Sequence, residues 1–400
     1  MSKTKSAKAP ASAMQADLEQ QASRIGAVFA AAGFTPVNPP VLQPADIFLD
    51  RSGEEMRRRM YMFADPSGQE LCLRPDLTIP TCRLFLEGKP DAKREARLSY
   101  RGLAFRFQTR RILPMREFTQ IGVEYFGARD RVKADAEILA LAVEAVRAAG
   151  LSRFRIEMGD LSLFGALVDA LDIPEVWRAR LKRHFWRPDY FRELLDRLVA
   201  PGGLQKEGPD RPGLFSALGA LDEPQARAFI EEVIDLAGIQ PVGGRTTAEI
   251  AERLLEQASD AGAEALPPQT ARLIHQFLAI SAPPDQAIAK IRALLKKSRI
   301  SIEPALKALE QRFRRLEANG VDLAEARFST GFGRNMEYYT GFVFELTVAT
   351  PEGTLNVAGG GRYDTLLQSL GAPSPLPAVG CAIQAERLDY AIRLAKGGRS

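Results

Sequence analysis

Strand-like periodicity occurs in two separate parts of this sequence, on either side of a long helical stretch. Residues 60–126 contain short apolar runs separated by turns, and residues 342–348 again alternate between apolar and polar side chains. Between them, residues 161–318 are rich in Leu, Ala, Arg and Glu with helical spacing. This order predicts an α+β fold in which one domain, formed by residues 14–160 and 319–400, is interrupted by a helical insertion at 161–318.

The overall composition is that of an ordinary globular protein. Of the 400 residues, 46% are hydrophobic and 26% are charged. A total of 54 basic and 50 acidic residues gives a net charge of +4, which does not indicate a nucleic-acid-binding protein. No apolar run reaches the length of a membrane span. The first 13 residues are small, polar and lysine-bearing, so they predict a disordered tail and not a signal peptide.

Cysteine and histidine usage limits the chemistry further. The three cysteines are widely spaced and odd in number, which predicts a reducing, cytoplasmic location. The two histidines, His184 and His275, do not have the spacing of metal ligands, so a histidine-rich zinc site is excluded. Magnesium bound by carboxylates is not excluded by this argument.

One strand, predicted over residues 118–126, carries two polar side chains on one face. Gln120 and Glu124 point the same way because side chains alternate along a strand, and Gly122 leaves a floor between them. Their Cα atoms would lie roughly 13 Å apart, which leaves room for a small amino acid. Since a buried Glu without a partner is costly, the pattern suggests a pocket for a cationic ligand. The alternative is an edge strand whose polar face lies in water.

Four further clusters combine charged or aromatic residues with proline or glycine. They are LCLRPDLT at 71–78, FRF at 105–107 followed by Arg110, Arg111 and Arg116, GRNMEYY at 333–339, and AGGGRYD at 358–364 followed by AVGCAIQAER at 378–387. Taken singly, arginine-bearing loops are usually solvated surfaces and a glycine run is commonly a turn. The order of the clusters along the chain is therefore more informative than any one of them.

In this order the clusters resemble the catalytic domain of class II aminoacyl-tRNA synthetases, in particular histidyl-tRNA synthetase. The family patterns LRPEGT, FHQxGxE, RGLDYY, AGGRYD and PAVGFAIGLERL correspond to LRPDLT (73–78), FTQIGVE (118–124), RNMEYY (334–339), AGGGRYD (358–364) and PAVGCAIQAERL (377–388). The resemblance covers nearly all of residues 15–395 and implies an antiparallel sheet flanked by helices, with a helical insertion.

The resemblance also implies a histidine-binding pocket. Asp76 stands where the family has a Glu that receives the α-amino group, and Gln120 matches its amide partner. Glu124 and Tyr339 match groups that face the imidazole, and Tyr363 matches a residue of the same pocket. Arg334 matches the arginine that meets the α-carboxylate. This assignment agrees with the strand pattern, since an anionic group suits an ammonium and a Glu can accept from an imidazole N–H.

The nucleotide site that the family uses is altered here. Arg106 and Arg387 remain at their positions, but the family's Glu and Arg after the first arginine are Gln108 and Thr109. Gln384 replaces a glycine where ATP needs close approach, and Gly is replaced by Asn in the RNMEYY segment. The resemblance therefore implies a residual nucleotide site without a catalytic residue, and no metal or cofactor is predicted.

The sequence also ends early for a synthetase. Twelve residues follow Leu388, whereas a histidyl-tRNA synthetase continues into an anticodon-binding domain of about a hundred residues, the ordinary size of a domain. We therefore expect no C-terminal anticodon-binding domain and no tRNA partner.

A synthetase-like chain of this kind resembles the regulatory subunit of ATP phosphoribosyltransferase. The resemblance implies a non-catalytic homodimer, formed through the first motif, that joins a short-form catalytic subunit in a hetero-octamer, activates it and takes part in feedback inhibition by histidine. It leaves open whether histidine acts in the pocket or between the two kinds of subunit. The alternatives are an enzyme that adenylates histidine without an anticodon domain and a tRNA-binding module.

Overall fold

The computed structural model describes residues 11–49, 58–88, 95–107, 115–185, 188–199, 265–333 and 338–397, with a few more between 225 and 233. The chain divides into two compact units. The first unit comprises Met1–Ala166 and Phe277–Ser400, and the second comprises Leu167–Gln276.

A nine-stranded sheet forms the centre of the first unit. In spatial order its strands are β1 (Thr35–Val37), β5 (Ala96–Phe105), β6 (Glu117–Phe126), β12 (Ala378–Gln384), β11 (Gly353–Arg362), β10 (Phe342–Thr350), β7 (Arg155–Asp160), β9 (Ala326–Ser329) and β8 (Ser281–Ala282). Neighbours pair antiparallel, except that β1 is parallel to β5 and β7 is parallel to β9. A smaller sheet has the order β2 (Leu42–Pro44), β4 (Glu70–Leu73), β3 (Tyr61–Ala64).

Helices accompany both sheets, so the predicted α+β class is confirmed. Those of the first unit are α1 (Ala11–Ala31), α2 (Asp46–Leu49), α3 (Thr78–Glu87), α4 (Arg131–Ala149), α9 (Pro284–Lys297), α10 (Glu303–Ala318), α11 (Leu366–Ser369) and α12 (Ala385–Gly397). Helices α6 (Glu175–His184) and α7 (Pro188–Val199) lie in the second unit, and α5 (Leu161–Ala170) and α8 (Pro268–Leu278) cross the unit boundaries. None of the described helices is long and apolar enough to cross a membrane.

Local sequence signals account for the ends of the helices that flank the large sheet. The Asp130 carboxylate accepts a hydrogen bond from the backbone N–H of Lys133 (2.9 Å) and so caps the start of α4. Gly150 ends this helix in the left-handed conformation, with a φ of 114°. Helix α1 begins at Ala11, so residues 11–13 of the predicted tail are helical, and residues 1–10 lie outside the described part of the chain.

Strand β6 is a central strand. It pairs with β5 on one side and β12 on the other, and both of its faces are buried from Gln120 onward. The alternative of an edge strand with its polar face in water is therefore wrong. The polar side chains on this face belong to the protein interior.

The second compact unit is shorter than the predicted helical insertion. It ends at Gln276, whereas the insertion was predicted to continue to residue 318. Helices α9 and α10 belong to the first unit, where Arg312 of α10 forms buried ion pairs with Asp135 and Asp160. Helical periodicity reveals that a segment is a helix but not which neighbour its buried face contacts, which is why the sequence assigned all these helices to one insertion.

The second unit has an apolar core of its own. Trp177 and Leu181 of α6 are buried, as are Phe191 and Leu195 of α7. Arg178 holds the loop before α6. Its Nη2 donates to the carbonyl of Leu171 (3.2 Å) and to the carbonyl of Ile173 (3.4 Å). This packing explains why the segment forms a compact body.

Candidate functional site

Glu124 is the centre of the site. Its side chain lies on β6, in a residue that is 1% exposed. The hydroxyl of Tyr100 donates to its Oε1 (3.1 Å), and the hydroxyl of Tyr363 donates to its Oε2. Burial raises the pKa of Glu124 to about 8, although these hydroxyl groups favour the ionised form. Burial in this pocket therefore favours the neutral form of the carboxyl at neutral pH.

The floor beside Glu124 is not open, contrary to the prediction. Tyr100 of β5 stands opposite Gly122 in the strand pairing. A Cβ at position 122 would lie 2.5 Å from the Tyr100 hydroxyl and 2.4 Å from the Cys381 carbonyl oxygen. The missing side chain at Gly122 thus makes room for a tyrosine of the neighbouring strand. Sequence reasoning missed Tyr100 because the register between the two strands is not visible in either strand alone.

Two buried acceptors near Glu124 lack a donor in the described part of the protein. Asp76, between β4 and α3, accepts from the backbone N–H of Ile79 through Oδ1 (3.2 Å), but its Oδ2 has no partner. Gln120 donates to the Tyr100 hydroxyl (3.4 Å), and its Oε1 also has no partner. Burial raises the pKa of Asp76, and the nearby charge of Arg106 opposes this rise. Buried acceptors without partners are rare, so the pair points to a ligand that brings N–H donors.

Aromatic rings form a wall of the same cleft. Tyr338, Tyr339 and Tyr363 all line it, together with Gln120 and Glu124. The rings of Tyr338 and Tyr339 have centroids 4.8 Å apart, and those of Tyr339 and Tyr363 are 6.5 Å apart. The structure thus brings together four of the predicted ligand residues in this cleft, with Asp76 beside it. Tyr338 was not predicted, since nothing in a YY pair reveals that both rings face one cavity.

The two arginines of the predicted nucleotide site have different positions. Arg106 lines the cleft, and its Nε donates to the Pro75 carbonyl at 2.6 Å. Arg387, on α12, donates to the Asn356 carbonyl at 3.2 Å. Gln384 lines the cleft and is paired with Gln120 across β12 and β6. This side chain therefore forms part of the cleft wall.

Some predicted residues fall outside the described part of the chain. They are Arg334, which was expected to meet an α-carboxylate, and three positions at which the nucleotide site was expected to differ, namely Gln108, Thr109 and Asn335. Within the described residues, no group of three or more His, Cys, Asp or Glu side chains could hold a metal ion.

Comparison with known proteins identifies the family to which this chain belongs. The histidyl-tRNA synthetase family model matches residues 10–227 and 226–388. A protein from Chelativorans sp. (strain BNC1), named ATP phosphoribosyltransferase regulatory subunit, is 38% identical over 358 residues, which is 87% of this chain and 91% of that protein. A protein of the same name from Brucella anthropi is 36% identical over 357 residues, covering 89% of this chain and 93% of its own. This chain belongs to the family of ATP phosphoribosyltransferase regulatory subunits.

The solved structures agree with this membership at the level of the fold. A Bacillus halodurans protein described as an ATP phosphoribosyltransferase regulatory subunit/histidyl-tRNA synthetase superposes with a TM-score of 0.63 at 21% identity, covering 98% of this chain and 83% of that one. The predicted family and the synthetase-like fold are confirmed. The relatives are named as regulatory subunits, in agreement with the prediction that the chain is not an enzyme.

Proposed function

We propose that this protein is the subunit that activates a short-form ATP phosphoribosyltransferase, the enzyme of the first step of histidine biosynthesis, and that it takes part in feedback inhibition by histidine. The names of its relatives support a regulatory role. The proposal that histidine binds to this protein rests on one observation. Glu124 is buried in a pocket beside acceptor atoms of Asp76 and Gln120 that have no hydrogen-bond partner in the described chain.

Histidine fits this pocket by the chemistry of its groups. Its α-ammonium can donate to Oδ2 of Asp76 and Oε1 of Gln120, which both lack a donor in the described chain. Its imidazole can share a proton with Glu124, and the rings of Tyr339 and Tyr363 flank that position. Arg334, outside the described residues, remains the proposed partner of the α-carboxylate.

The nucleotide-binding groups support a regulator more than an enzyme. The guanidinium groups of Arg106 and Arg387 both donate to backbone carbonyls, and Gln384 lies in the cleft. We infer a residual nucleotide site with no catalytic residue. In the regulatory role, histidine binds one quaternary state of the complex better than another, and such coupling is typically worth about 1–3 kcal/mol.

A homodimer is part of the proposal. Among the described residues of the first unit, six large apolar side chains are exposed, namely Val41, Leu42, Met62, Phe63, Leu103 and Phe107. Buried Arg74 connects two of the segments that carry them, because its backbone N–H donates to the Val41 carbonyl (3.0 Å) and its Nε donates to the Leu103 carbonyl (2.7 Å). We propose that a second copy covers this apolar patch and that the dimer joins catalytic subunits in a cytoplasmic hetero-octamer.

Reconstitution tests the regulatory role. A purified short-form ATP phosphoribosyltransferase would be assayed alone, with this protein, and with this protein plus histidine. We expect activation on mixing and inhibition when histidine is added. Equal activity with and without this protein would contradict the proposal.

A second assay separates the regulator from the adenylating enzyme. Histidine-dependent exchange of pyrophosphate into ATP reports amino-acid activation without any need for tRNA. We expect no exchange above background with this protein. Exchange that depends on Glu124 would instead identify a histidine-activating enzyme.

A further inference from the structure

Arg312 of α10 lies at one end of a buried network of ion pairs. Its Nε donates to Oδ2 of Asp135 (2.9 Å), and its Nη1 donates to Oδ2 of Asp160 (2.9 Å). Its guanidinium also lies over the Phe342 ring, 4.9 Å from the centroid. Both aspartates are almost completely buried, at 0% and 2% exposure. Arg312 thus fixes α10 to the start of α4 and to the end of β7.

The other end of the network lies next to Tyr363, a residue that lines the pocket. Arg362 donates to Oδ1 of Asp135 (2.8 Å) and to Oδ1 of Asp364 (2.8 Å). Tyr363, whose hydroxyl reaches Glu124, lies between these two residues in the chain. Its backbone N–H donates to the carbonyl of Ala378 (2.8 Å), and the Ala378 N–H donates to Oδ1 of Asp364 (3.0 Å). The backbone on both sides of Tyr363 is therefore held by this network.

The same contacts reach the neighbouring tyrosines. The backbone N–H of Thr340 donates to the Arg362 carbonyl (2.8 Å), and its Oγ1 accepts from the Asp364 N–H (3.0 Å). Tyr339, the residue before Thr340, lines the cleft. The backbone next to Tyr339 and the backbone next to Tyr363 are therefore both held by the same buried ion-pair network.

We propose that Arg312 is a positioning residue for the ligand pocket, acting through Asp135 and Arg362 on Tyr363, so that helix α10 and the pocket form one coupled unit. The effect on ligand affinity rests on the proposed function, whereas the effect on the contact between Tyr363 and Glu124 does not. Movement of α10, for example on assembly with a partner, would then change the pocket without touching the ligand.

A merely structural role predicts a different result. A buried arginine that only stabilises the fold would lower the stability when removed, since it leaves two carboxylates without a counter-charge. If Arg312 is a positioning residue, its removal also changes the groups that contact Glu124. The groups that face this carboxyl are Tyr100, Tyr363, Thr78, Asp76, Cys82 and Cys381. Of these, Tyr363 is directly attached to the network.

The test follows the protonation of Glu124 in the protein without added histidine. Infrared difference spectra against Glu124→Gln give the protonated carboxyl band of this one residue as a function of pH. Because the Tyr363 hydroxyl favours the ionised carboxylate, Tyr363→Phe should move the titration midpoint to higher pH. We expect Arg312→Met to move the midpoint in the same direction. In the double variant, the two shifts should not add, since both act through one hydroxyl.

Arg315→Met is the matched control. Arg315 lies on the same helix and pairs with Asp130 (3.0 Å), but this pair is exposed and lies outside the network. We expect no shift of the midpoint in this variant. Histidine affinity, measured by calorimetry, should fall at least about fivefold in Arg312→Met and remain unchanged in Arg315→Met.

Each outcome is decisive for one claim. An unchanged midpoint in Arg312→Met, or shifts that add in the double variant, would overturn the positioning role. If Arg312→Met does not fold, Asp160→Asn removes one of its two anchors and should give a smaller shift in the same direction, with no shift overturning the proposal. A wild-type protein that does not bind histidine would contradict the proposed ligand, while the infrared titration would still decide the role of Arg312.

Discussion

Glu124 packs directly against Gly380 of the neighbouring strand. The two residues are paired across β6 and β12, and a Cβ at position 380 would lie 1.7 Å from Oε2 of Glu124 and 2.6 Å from the Val123 carbonyl oxygen. The carboxyl group therefore occupies the space that any other residue at 380 would need. The pocket depends on this close approach as much as on its charged groups.

Gly380→Ala should accordingly disrupt the pocket. The methyl group forces the Glu124 side chain out of its position. The Val123 carbonyl cannot move away without disturbing the strand pairing between β6 and β12. We expect a loss of about 1–3 kcal/mol in the free energy of unfolding, as for other overpacked cores, and loss of histidine binding. Urea unfolding and calorimetry measure the two effects.

Gly26→Ala is the control for this substitution. Gly26 lies on an exposed position of α1, and a Cβ there meets nothing within 4 Å. Replacement of a glycine inside a helix should stabilise the protein by about 0.5–1 kcal/mol. Normal histidine binding in Gly380→Ala would show that the carboxyl group does not need its observed position.

The stability of the protein should depend on pH through Glu124. The folded protein keeps a proton on this carboxyl up to about pH 8, whereas the unfolded chain releases it near the ordinary pKa of 4.5. Because the folded state binds more protons in this window, stability falls as pH rises from 4.5 to about 8, by at most ~1.4 kcal/mol per pH unit from this group.

Glu124→Gln tests this dependence, since a neutral amide has no proton to lose. Urea unfolding at several pH values should show a shallower decline than in the wild type. Some decline remains because burial also raises the pKa of Asp76. An identical slope in both proteins would mean that Glu124 does not titrate in this window.

Histidine affinity should be highest between about pH 6.5 and pH 8. In this interval the free imidazole is neutral, given its ordinary pKa of about 6.5, and the protonated Glu124 can donate to the ring nitrogen that carries no proton. Above a pH of about 8 the complex must take up a proton, and affinity should fall by up to tenfold per pH unit. Below the interval, binding must release a proton from the imidazole.

Calorimetry in buffers with different ionisation enthalpies measures this proton uptake directly. We expect uptake of one proton at high pH in the wild type and no uptake in Glu124→Gln. Constant affinity above pH 8 in the wild type would contradict a hydrogen bond in which the protonated Glu124 donates to the imidazole.

The apolar patch should control the oligomeric state. Leu42 and Leu103 are 52% and 42% exposed, and a lysine at either position would place a charge in the proposed contact between copies. We expect Leu42→Lys and Leu103→Lys to shift the protein toward the monomer in sedimentation equilibrium, with unchanged secondary structure. Phe229→Lys, an exposed apolar residue of the second unit (41%), should have no such effect. If all these variants associate equally, the apolar patch is not part of the contact between copies.

Local patterns in the sequence were enough for the strand that carries Glu124 and for the α+β class. They were not enough for contacts across the sheet. Tyr100 fills the floor at Gly122 because of the register between β5 and β6, which neither strand encodes alone. The same limitation applies to Arg312, whose partner Asp135 lies 177 positions earlier. Charged residues on a periodic helix do not reveal whether they face water or a buried carboxylate.

The hydrogen bond between Tyr363 and Glu124 joins residues 239 positions apart in the chain. During synthesis on the ribosome, the strand that bears the carboxyl emerges long before β11 and β12, which complete the site. A nascent chain that stops before these strands lacks the groups that shield and hold Glu124. Histidine should therefore be unable to assist early stages of folding, and its capture would mark a chain in which β11 and β12 have already been made.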